Sequence, residues 1–293
     1  MGDNFITDLK LRFRSGSVLT KLIYINIGVF IVVRLAALAL KLFGFSYAPF
    51  LTWLEMPSSP IMLLHRPWTL ITYMFLHYGF LHIIFNMLWL YWFGQIFLQF
   101  LNPRQLGGLY VLGGIAGGML YFACYNLLPY FHNVSASSFL LGASAAVMAI
   151  VFAISFYQKD YVINLLFIGR VKLIYLAIAS FLIDLLAITS DNAGGHIAHI
   201  GGALFGIWFA TSYMRGHDLT APMNRLIDKF VNLFRRRPKL YVSTRHSETD
   251  YEYNARKHRE QADIDEILDK LKRSGYESLS SDEKRRLFDA SKK

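Results

Sequence analysis

Strongly polar side chains occur inside segments that are otherwise apolar. In HYGFLHIIFN, residues 77–86, two histidines and an asparagine interrupt a run of large hydrophobic residues. Further along the chain, Ser144 lies in FLLGASAAVMAI and His199 lies in GGHIAHIGGALFG. A serine hydroxyl is a weak nucleophile that needs an adjacent base, and histidine is the commonest such base. These residue types suit acyl transfer if the fold brings them to one place.

The segments that must position these groups are long enough to cross a bilayer. The 293-residue chain is 54% hydrophobic and 16% aromatic, which is too apolar for a typical soluble enzyme. A transmembrane helix needs about 20 mostly uncharged residues. Six windows meet that condition: 22–43, 81–101, 106–128, 139–157, 171–188 and 195–213. They predict an all-α membrane protein built as a six-transmembrane-helix bundle.

Most of the charged residues lie outside these windows. The net charge is +10 at pH 7, and most Lys and Arg residues precede residue 22 or follow residue 221. Charge in such flanks suits an anionic membrane surface better than a nucleic acid. The positive-inside rule favours a cytoplasmic location for both termini, which six spans permit. In a bacterium, the expected location is the cell (inner) membrane.

Three regions follow from these patterns. Residues 1–21 form a polar, cytosolic N-terminal segment, residues 22–215 form the membrane domain, and residues 216–293 form a basic tail. Within the membrane domain, prolines in residues 44–80 argue against one continuous helix there. The second span is then expected to begin near Gly79.

The basic tail contains its own helical patterns. Residues 222–237 place apolar side chains on one face and basic side chains elsewhere, which predicts an amphipathic helix on the inner leaflet. Residues 238–260 are highly charged, and we expect them to be irregular. Apolar residues at helical spacing then end at Gly275, a typical helix stop. Ser280 and Glu283 predict a capping box that opens a last helix, completing a small cytosolic helical hairpin.

The predicted topology brings the polar groups of three spans to one level. With the amino terminus inside, the second, fourth and sixth spans all begin at the external face. A rise of about 1.5 Å per residue puts His82, Ser144 and His199 roughly 3–9 Å below that face. Asn86 follows His82 by four residues, so it lies on the same helix face one turn deeper.

This level offers the parts of an acyl-transfer site. Either His199 or His82 would take the proton of Ser144. Ser144 is expected in the first turn of its helix, where unpaired N–H groups and the helix dipole favour a developing negative charge. Asn86 would add a side-chain donor to such an oxyanion hole.

The remaining polar groups of the spans are interpreted as structural. Arg34 can extend its charge to the interface, and Asp184 can hydrogen-bond a neighbouring helix. Both are expected to lie deeper than the histidines and the serine. Asp191, in the short loop before the sixth span, is the carboxylate expected at the level of the site. We therefore expect no three-member triad.

Three motifs together resemble those of the rhomboid intramembrane serine proteases. They are His-x-x-x-Asn in HIIFN (82–86), Gly-x-Ser in GAS (142–144), and His-x-x-Gly-x-x-x-Gly in HIGGALFG (199–206). Each motif alone is weak, but they occur in order on the second, fourth and sixth spans. The resemblance covers roughly residues 68–209.

The resemblance implies roles for individual residues. Ser144 would be the nucleophile and His199 its base, while His82, Asn86 and the Ser144 backbone N–H would form the oxyanion hole. His77 would lie at the rim of the cavity. The family needs no metal or cofactor. Its substrates are single-span membrane proteins, whose transmembrane helices it cleaves near their exposed ends. The other expected partner is the lipid bilayer, with no nucleic acid.

The chain departs from the family pattern at three positions. Ala145 follows the serine where the family usually has glycine, and Met148 replaces a tyrosine that some relatives place under the histidine. Thr69 follows Trp68 where the first loop often carries Trp-Arg. These departures bear on efficiency and substrate preference more than on the type of reaction.

Two other classes of protein stay open at this point. A rhomboid-like pseudoenzyme would bind client membrane helices without cutting them, although such relatives generally lack the serine or the histidine that this chain retains. A membrane transporter with a histidine relay would need charged groups along a path through the bilayer. The polar cluster of this chain instead stops near one face.

Overall fold

The computed structural model describes residues 7, 11, 13, 15–165, 169–234 and 250–291. Its helices are α1 (Val18–Leu42), α2 (Ala48–Thr52), α3 (Pro60–His65), α4 (Thr69–Thr72), α5 (Phe80–Phe100), α6 (Pro103–Leu127), α7 (Ser144–Tyr157), α8 (Leu173–Leu186), α9 (Ala193–Met214), α10 (Ala221–Phe234), α11 (Asp250–Ser274) and α12 (Ser281–Ala290). Its strands are β1 (Met56–Pro57), β2 (Phe139–Leu140), β3 (Val162–Leu165) and β4 (Gly169–Lys172), paired antiparallel as β1 with β2 and β3 with β4. Short 3₁₀ turns occupy Tyr73–Phe75, Pro129–Phe131 and Tyr276–Ser278. The chain divides into two compact units, Met1–Arg235 and Arg236–Lys293.

Six apolar helices of the first unit correspond to the six predicted windows. Four of them, α1, α5, α6 and α9, are long and apolar enough to cross a membrane, whereas α7 and α8 have 14 residues each. At a rise of about 1.5 Å per residue, each shorter helix is about 21 Å long. The predicted all-α membrane bundle is confirmed, and the count of six spans stays a prediction.

Helix α7 lies at the centre of the bundle. It contacts α5, α6, α8 and α9, and eleven of its residues are buried. Its sequence, SAAVMAIVFAISFY, is apolar on every side, which is the pattern of a helix enclosed by other helices. This arrangement places the first residue of α7, Ser144, in the middle of one end of the bundle.

Close glycine contacts hold α7 against its neighbours. A Cβ atom on Gly202 or Gly206 of α9 would overlap the backbone carbonyl oxygen of Ala145 or Ala149 in α7. On α6, a Cβ on Gly117 would lie 2.5 Å from the Ala145 Cβ of α7 and 2.6 Å from the Ala198 carbonyl oxygen of α9. Small residues at such spacing let helix backbones approach closely in a membrane. The glycines therefore fix the separation between the helices that carry the candidate site.

The connection between α1 and α5 is irregular, as its prolines predict. It contains three short helices and β1, which pairs with β2 immediately before the loop that leads into α7. In the same region, the Gly142 N–H donates a hydrogen bond of 2.9 Å to the Tyr73 carbonyl oxygen. The fourth window is predicted to begin at residue 139, but α7 begins at Ser144 because β2 occupies the start of that window.

Helix α10 follows the bundle and is amphipathic. Its first turn packs on α6, where a Cβ on Gly108 would lie 2.8 Å from both Asn224 Oδ1 and Thr220 Cβ. Leu226 and Val231 are exposed. The predicted amphipathic helix is thus confirmed as far as its described residues extend, and residues 235–237 lie outside them. Its location on a membrane surface stays a prediction.

The second unit contains two helices packed together. Helix α11 ends before Gly275, whose φ of +76° favours glycine, and α12 begins at the predicted capping box of Ser280 and Glu283. The helical hairpin is therefore confirmed. The prediction of irregular structure is wrong for residues 250–260, which are helical, and residues 238–249 lie outside the described part. The Glu, Arg, Lys and Ala residues of 250–260 favour helix even though the segment is highly charged.

Candidate active site

The candidate residues meet where α5, α7 and α9 begin. His82 lies in the first turn of α5, and Ser144 is the first residue of α7. Ala143 precedes α7 without a side-chain cap, so the first backbone N–H groups of that helix are not taken by a capping side chain. The prediction that Ser144 occupies the first turn of its helix is confirmed.

Gly142 brings His82 and Ser144 together. Its φ of +125° is a conformation that favours glycine, and a Cβ there would lie 3.0 Å from His82 Nε2 and 3.7 Å from Ser144 Oγ. The imidazole ring and the hydroxyl therefore lie close to the same point of the backbone. A side chain at this position would occupy the space between them.

His199 approaches from α9. Ala198, which precedes His199, contacts α6. Gly202, three residues after His199, packs on the backbone of Ala145. Because Ala145 directly follows Ser144, this contact places His199 beside the start of α7. His199 is also close enough to His82 to interact with it electrostatically. The structure thus places His82 beside Ser144, and His199 near His82 on the helix that packs against Ala145.

Asn86 lies one helical turn beyond His82, as predicted. It is buried, and its Nδ2 donates a hydrogen bond of 2.9 Å to the His82 carbonyl oxygen within α5. A side-chain amide nitrogen carries two hydrogens, so a second one can point at another acceptor. Asn86 is thus held in place by its own helix.

His77 lies in the loop before α5 and is only 1% exposed. The Ala143 N–H donates to its Nε2 at 3.4 Å, and its ring lies edge-on to His82 with the ring centroids 5.1 Å apart. Burial, followed by the nearby His82, lowers the pKa of His77 to about 4. The resemblance implies a position at the cavity rim, whereas the side chain is covered by the loop that precedes Ser144.

A carboxylate that the sequence patterns place elsewhere joins the site. Asp184 Oδ1 lies 2.9 Å from His199 Nδ1 and 2.8 Å from His196 Nδ1. The prediction that Asp191 is the carboxylate at this level, and that Asp184 lies deeper, is wrong. Helix α8 ends at Leu186, so Asp184 is close to the end of the bundle at which α9 begins. The sequence contains one indication of this contact. A short loop joins α8 and α9, which keeps the end of α8 near the start of α9, and His196 and His199 share one face of α9.

These three residues are also the group, among those described, with atoms placed to hold a metal ion. Their ligand atoms, one carboxylate oxygen and two ring nitrogens, all lie within 4.8 Å of one another. Nitrogen and oxygen ligands of this kind suit zinc and related ions. The direct hydrogen bonds from both rings already satisfy the carboxylate oxygen that they share.

The packing accommodates one of the departures from the family pattern. The Ala145 side chain is buried, and its methyl group is directed at Gly117 of α6. The added methyl therefore points into the helix packing. Thr69 is buried as well, and its Oγ1 donates a hydrogen bond of 2.6 Å to the Arg66 carbonyl oxygen. Met148 is buried within α7.

Comparison with known families agrees with this architecture. A family model described as the Rhomboid domain matches residues 64–216, slightly more than half of the chain. The chain belongs to the rhomboid family. A second model, described as a family of unknown function (DUF6576), matches residues 247–293.

Curated relatives carry rhomboid-like names. The chain is 28% identical over 158 residues to the presenilin-associated rhomboid-like protein, mitochondrial, of Homo sapiens, covering 50% of this chain and 37% of that protein. It is 32% identical over 144 residues to RHOMBOID-like protein 12, mitochondrial, of Arabidopsis thaliana, covering 46% and 43%. The chain thus spans about two fifths of the length of the curated relatives it matches.

Proposed function

We propose that this protein is an intramembrane serine endopeptidase that cleaves transmembrane helices of single-span proteins. One observation carries the proposal. Ser144, at the uncapped start of the central helix α7, lies beside the imidazole of His82, with His199 delivered by the tightly packed helix α9. The rhomboid family to which the chain belongs consists generally of serine proteases.

In the proposed mechanism, the Ser144 hydroxyl attacks the scissile carbonyl carbon while His199 accepts its proton. The negative charge that develops on the carbonyl oxygen is stabilised by the Ser144 backbone N–H, with donors from His82 and Asn86. The positive end of the α7 dipole favours the same charge. His199 then gives its proton to the leaving amine, and a water molecule, deprotonated by His199, hydrolyses the acyl-enzyme.

The location of the site limits the substrate. A peptide bond within an intact helix has its backbone groups paired internally, so a substrate must unwind locally to reach Ser144. Small or helix-breaking residues near the cut are therefore expected. Under the positive-inside rule, both termini lie in the cytoplasm and the site opens to the external face.

The test is cleavage of a single-span reporter protein by the full-length protein in liposomes. Ser144→Ala and His199→Ala are expected to abolish cleavage. Ser155→Ala is the matched control, because Ser155 is a buried serine at the opposite end of α7 from the half-buried Ser144. Cleavage by Ser144→Ala at the wild-type rate would overturn the proposal. A folded wild-type protein that binds reporter helices without cutting any of them would favour the pseudoenzyme.

A further inference from the structure

Asp184 is a buried carboxylate whose contacts lead directly to the proposed base. Its side chain is 7% exposed, against 20% for each of the two histidines that it contacts. Removing a carboxylate from water is costly unless hydrogen bonds replace the lost hydration. Here Asp184 Oδ1 lies within hydrogen-bond distance of two ring nitrogens, 2.8 Å from His196 Nδ1 and 2.9 Å from His199 Nδ1. Asp184, His196 and His199 therefore form a hydrogen-bonded polar cluster between α8 and α9.

The chemistry of this cluster fixes the proton positions on both rings. An ionised carboxylate can only accept hydrogen bonds, so each histidine places its proton on Nδ1. In a neutral imidazole the other nitrogen, Nε2, then carries the lone pair. For His199 this is the form that a base requires. A carboxylate at Nδ1 also stabilises the positive ring that forms once Nε2 has taken a proton.

We propose that Asp184 is a positioning residue for His199, so that the site operates as a Ser144–His199–Asp184 triad. The inference rests on the proposed function. His196 contributes by donating the second hydrogen bond to the same oxygen, which holds the carboxylate towards α9. Because His196 and His199 are three residues apart, both rings reach Asp184 from one face of α9.

The experiment compares turnover by Asp184→Asn with wild-type turnover on the same reporter in liposomes. Asparagine keeps the size of the side chain but removes its charge and can donate to Nδ1, which favours the wrong tautomer of His199. We expect kcat to fall by about 100-fold or more with KM nearly unchanged, the scale of acid–base catalysis. The matched control is Ser180→Ala, one turn earlier on α8, where the hydroxyl donates a hydrogen bond of 2.9 Å to the Ala177 carbonyl oxygen of its own helix.

Two further variants separate positioning from a purely structural role. Asp184→Glu restores the charge, so it is expected to regain part of the turnover that the asparagine loses. His196→Asn leaves the bond between Asp184 and His199 in place and is expected to lower kcat by less than Asp184→Asn. Thermal unfolding of each variant is measured in parallel, and turnover is expressed per folded molecule.

The outcomes distinguish this inference from the proposed function. A wild-type enzyme that Ser144→Ala inactivates, with Asp184→Asn as active as wild type, would overturn the triad and leave the protease intact. The triad would also be overturned if Asp184→Glu were no more active than Asp184→Asn per folded molecule. A wild-type protein that neither cleaves nor reacts with a serine-directed fluorophosphonate would overturn both the triad and the proposed function.

Discussion

At the scale of single residues, the candidate site combines a nucleophile with donors held by their own helices. Asn86 is fixed by its bond to the His82 carbonyl oxygen, and His82 is fixed against Gly142. Preorganised donors of this kind stabilise a developing negative charge without a cost of reorganisation during the reaction. If Asn86 and His82 stabilise the oxyanion, removing either side chain should slow the reaction.

Replacing either donor tests this role in oxyanion stabilisation. Asn86→Ala and His82→Ala are each expected to lower kcat by about 10²–10³-fold, the usual cost of one lost oxyanion donor. Turnover of the reporter by each variant measures this effect, and Asn164→Ala, an exposed asparagine in β3, is the control. Unchanged turnover in both site variants would show that the role is assigned to the wrong residues.

His77 gives the protein a dependence of stability on pH. Its pKa is lowered to about 4, so the folded protein keeps it neutral where the unfolded chain, with a pKa near 6.5, takes up a proton. The stability from neutral His77 is complete above pH 6.5 and falls as pH drops towards 4, by about 3 kcal/mol. The free energy of unfolding is measured at pH 7 and at pH 4.5. The difference between the two values is expected to be smaller for His77→Gln than for wild type. The exposed His132 gives the control variant, and an equal difference in all three proteins would contradict this assignment.

At the scale of elements, the separation of α7 and α9 positions the base against the nucleophile. Gly202→Ala would introduce a methyl that overlaps the Ala145 carbonyl oxygen, so the helices must move apart. We expect a loss of about 1–3 kcal/mol of stability, typical of overpacking, together with reduced turnover. Gly28→Ala is the control, since no atom of the described residues would lie within 4 Å of a Cβ at that position of α1, and alanine favours helix. A Gly202→Ala protein with wild-type stability and turnover would show that this contact does not set the helix separation.

Local patterns in the sequence predict these elements well, whereas contacts between them are harder to predict. Helix boundaries such as Gly79 before α5 and the capping box at Ser280 follow from residue types alone. The first-turn position of Ser144 follows in the same way. The bond between Asp184 and His199 depends instead on where α8 ends and how it packs on α9. The hydrophobic window for this span runs to residue 188, past the end of the helix, and carries no information about which face meets α9.

At the scale of the whole molecule, the proposed catalytic groups all lie in the first unit. The second unit, matched by the family of unknown function, supplies none of them. Deleting residues 238–293 is therefore expected to leave turnover of a generic single-span reporter largely intact. The comparison uses truncated and full-length proteins shown to be equally inserted in liposomes. Complete loss of activity in the truncated protein would assign the tail a necessary part in catalysis.

The central claim is that Ser144 is a nucleophile activated within the membrane bundle. The most direct measurement is the reaction of the full-length protein with a serine-directed fluorophosphonate, followed by mass spectrometry to locate the modified residue. We expect modification of Ser144 in the wild-type protein, and its loss in His199→Ala because the hydroxyl is then no longer activated. A folded wild-type protein in which Ser144 stays unmodified, or is modified equally without His199, would contradict the claim.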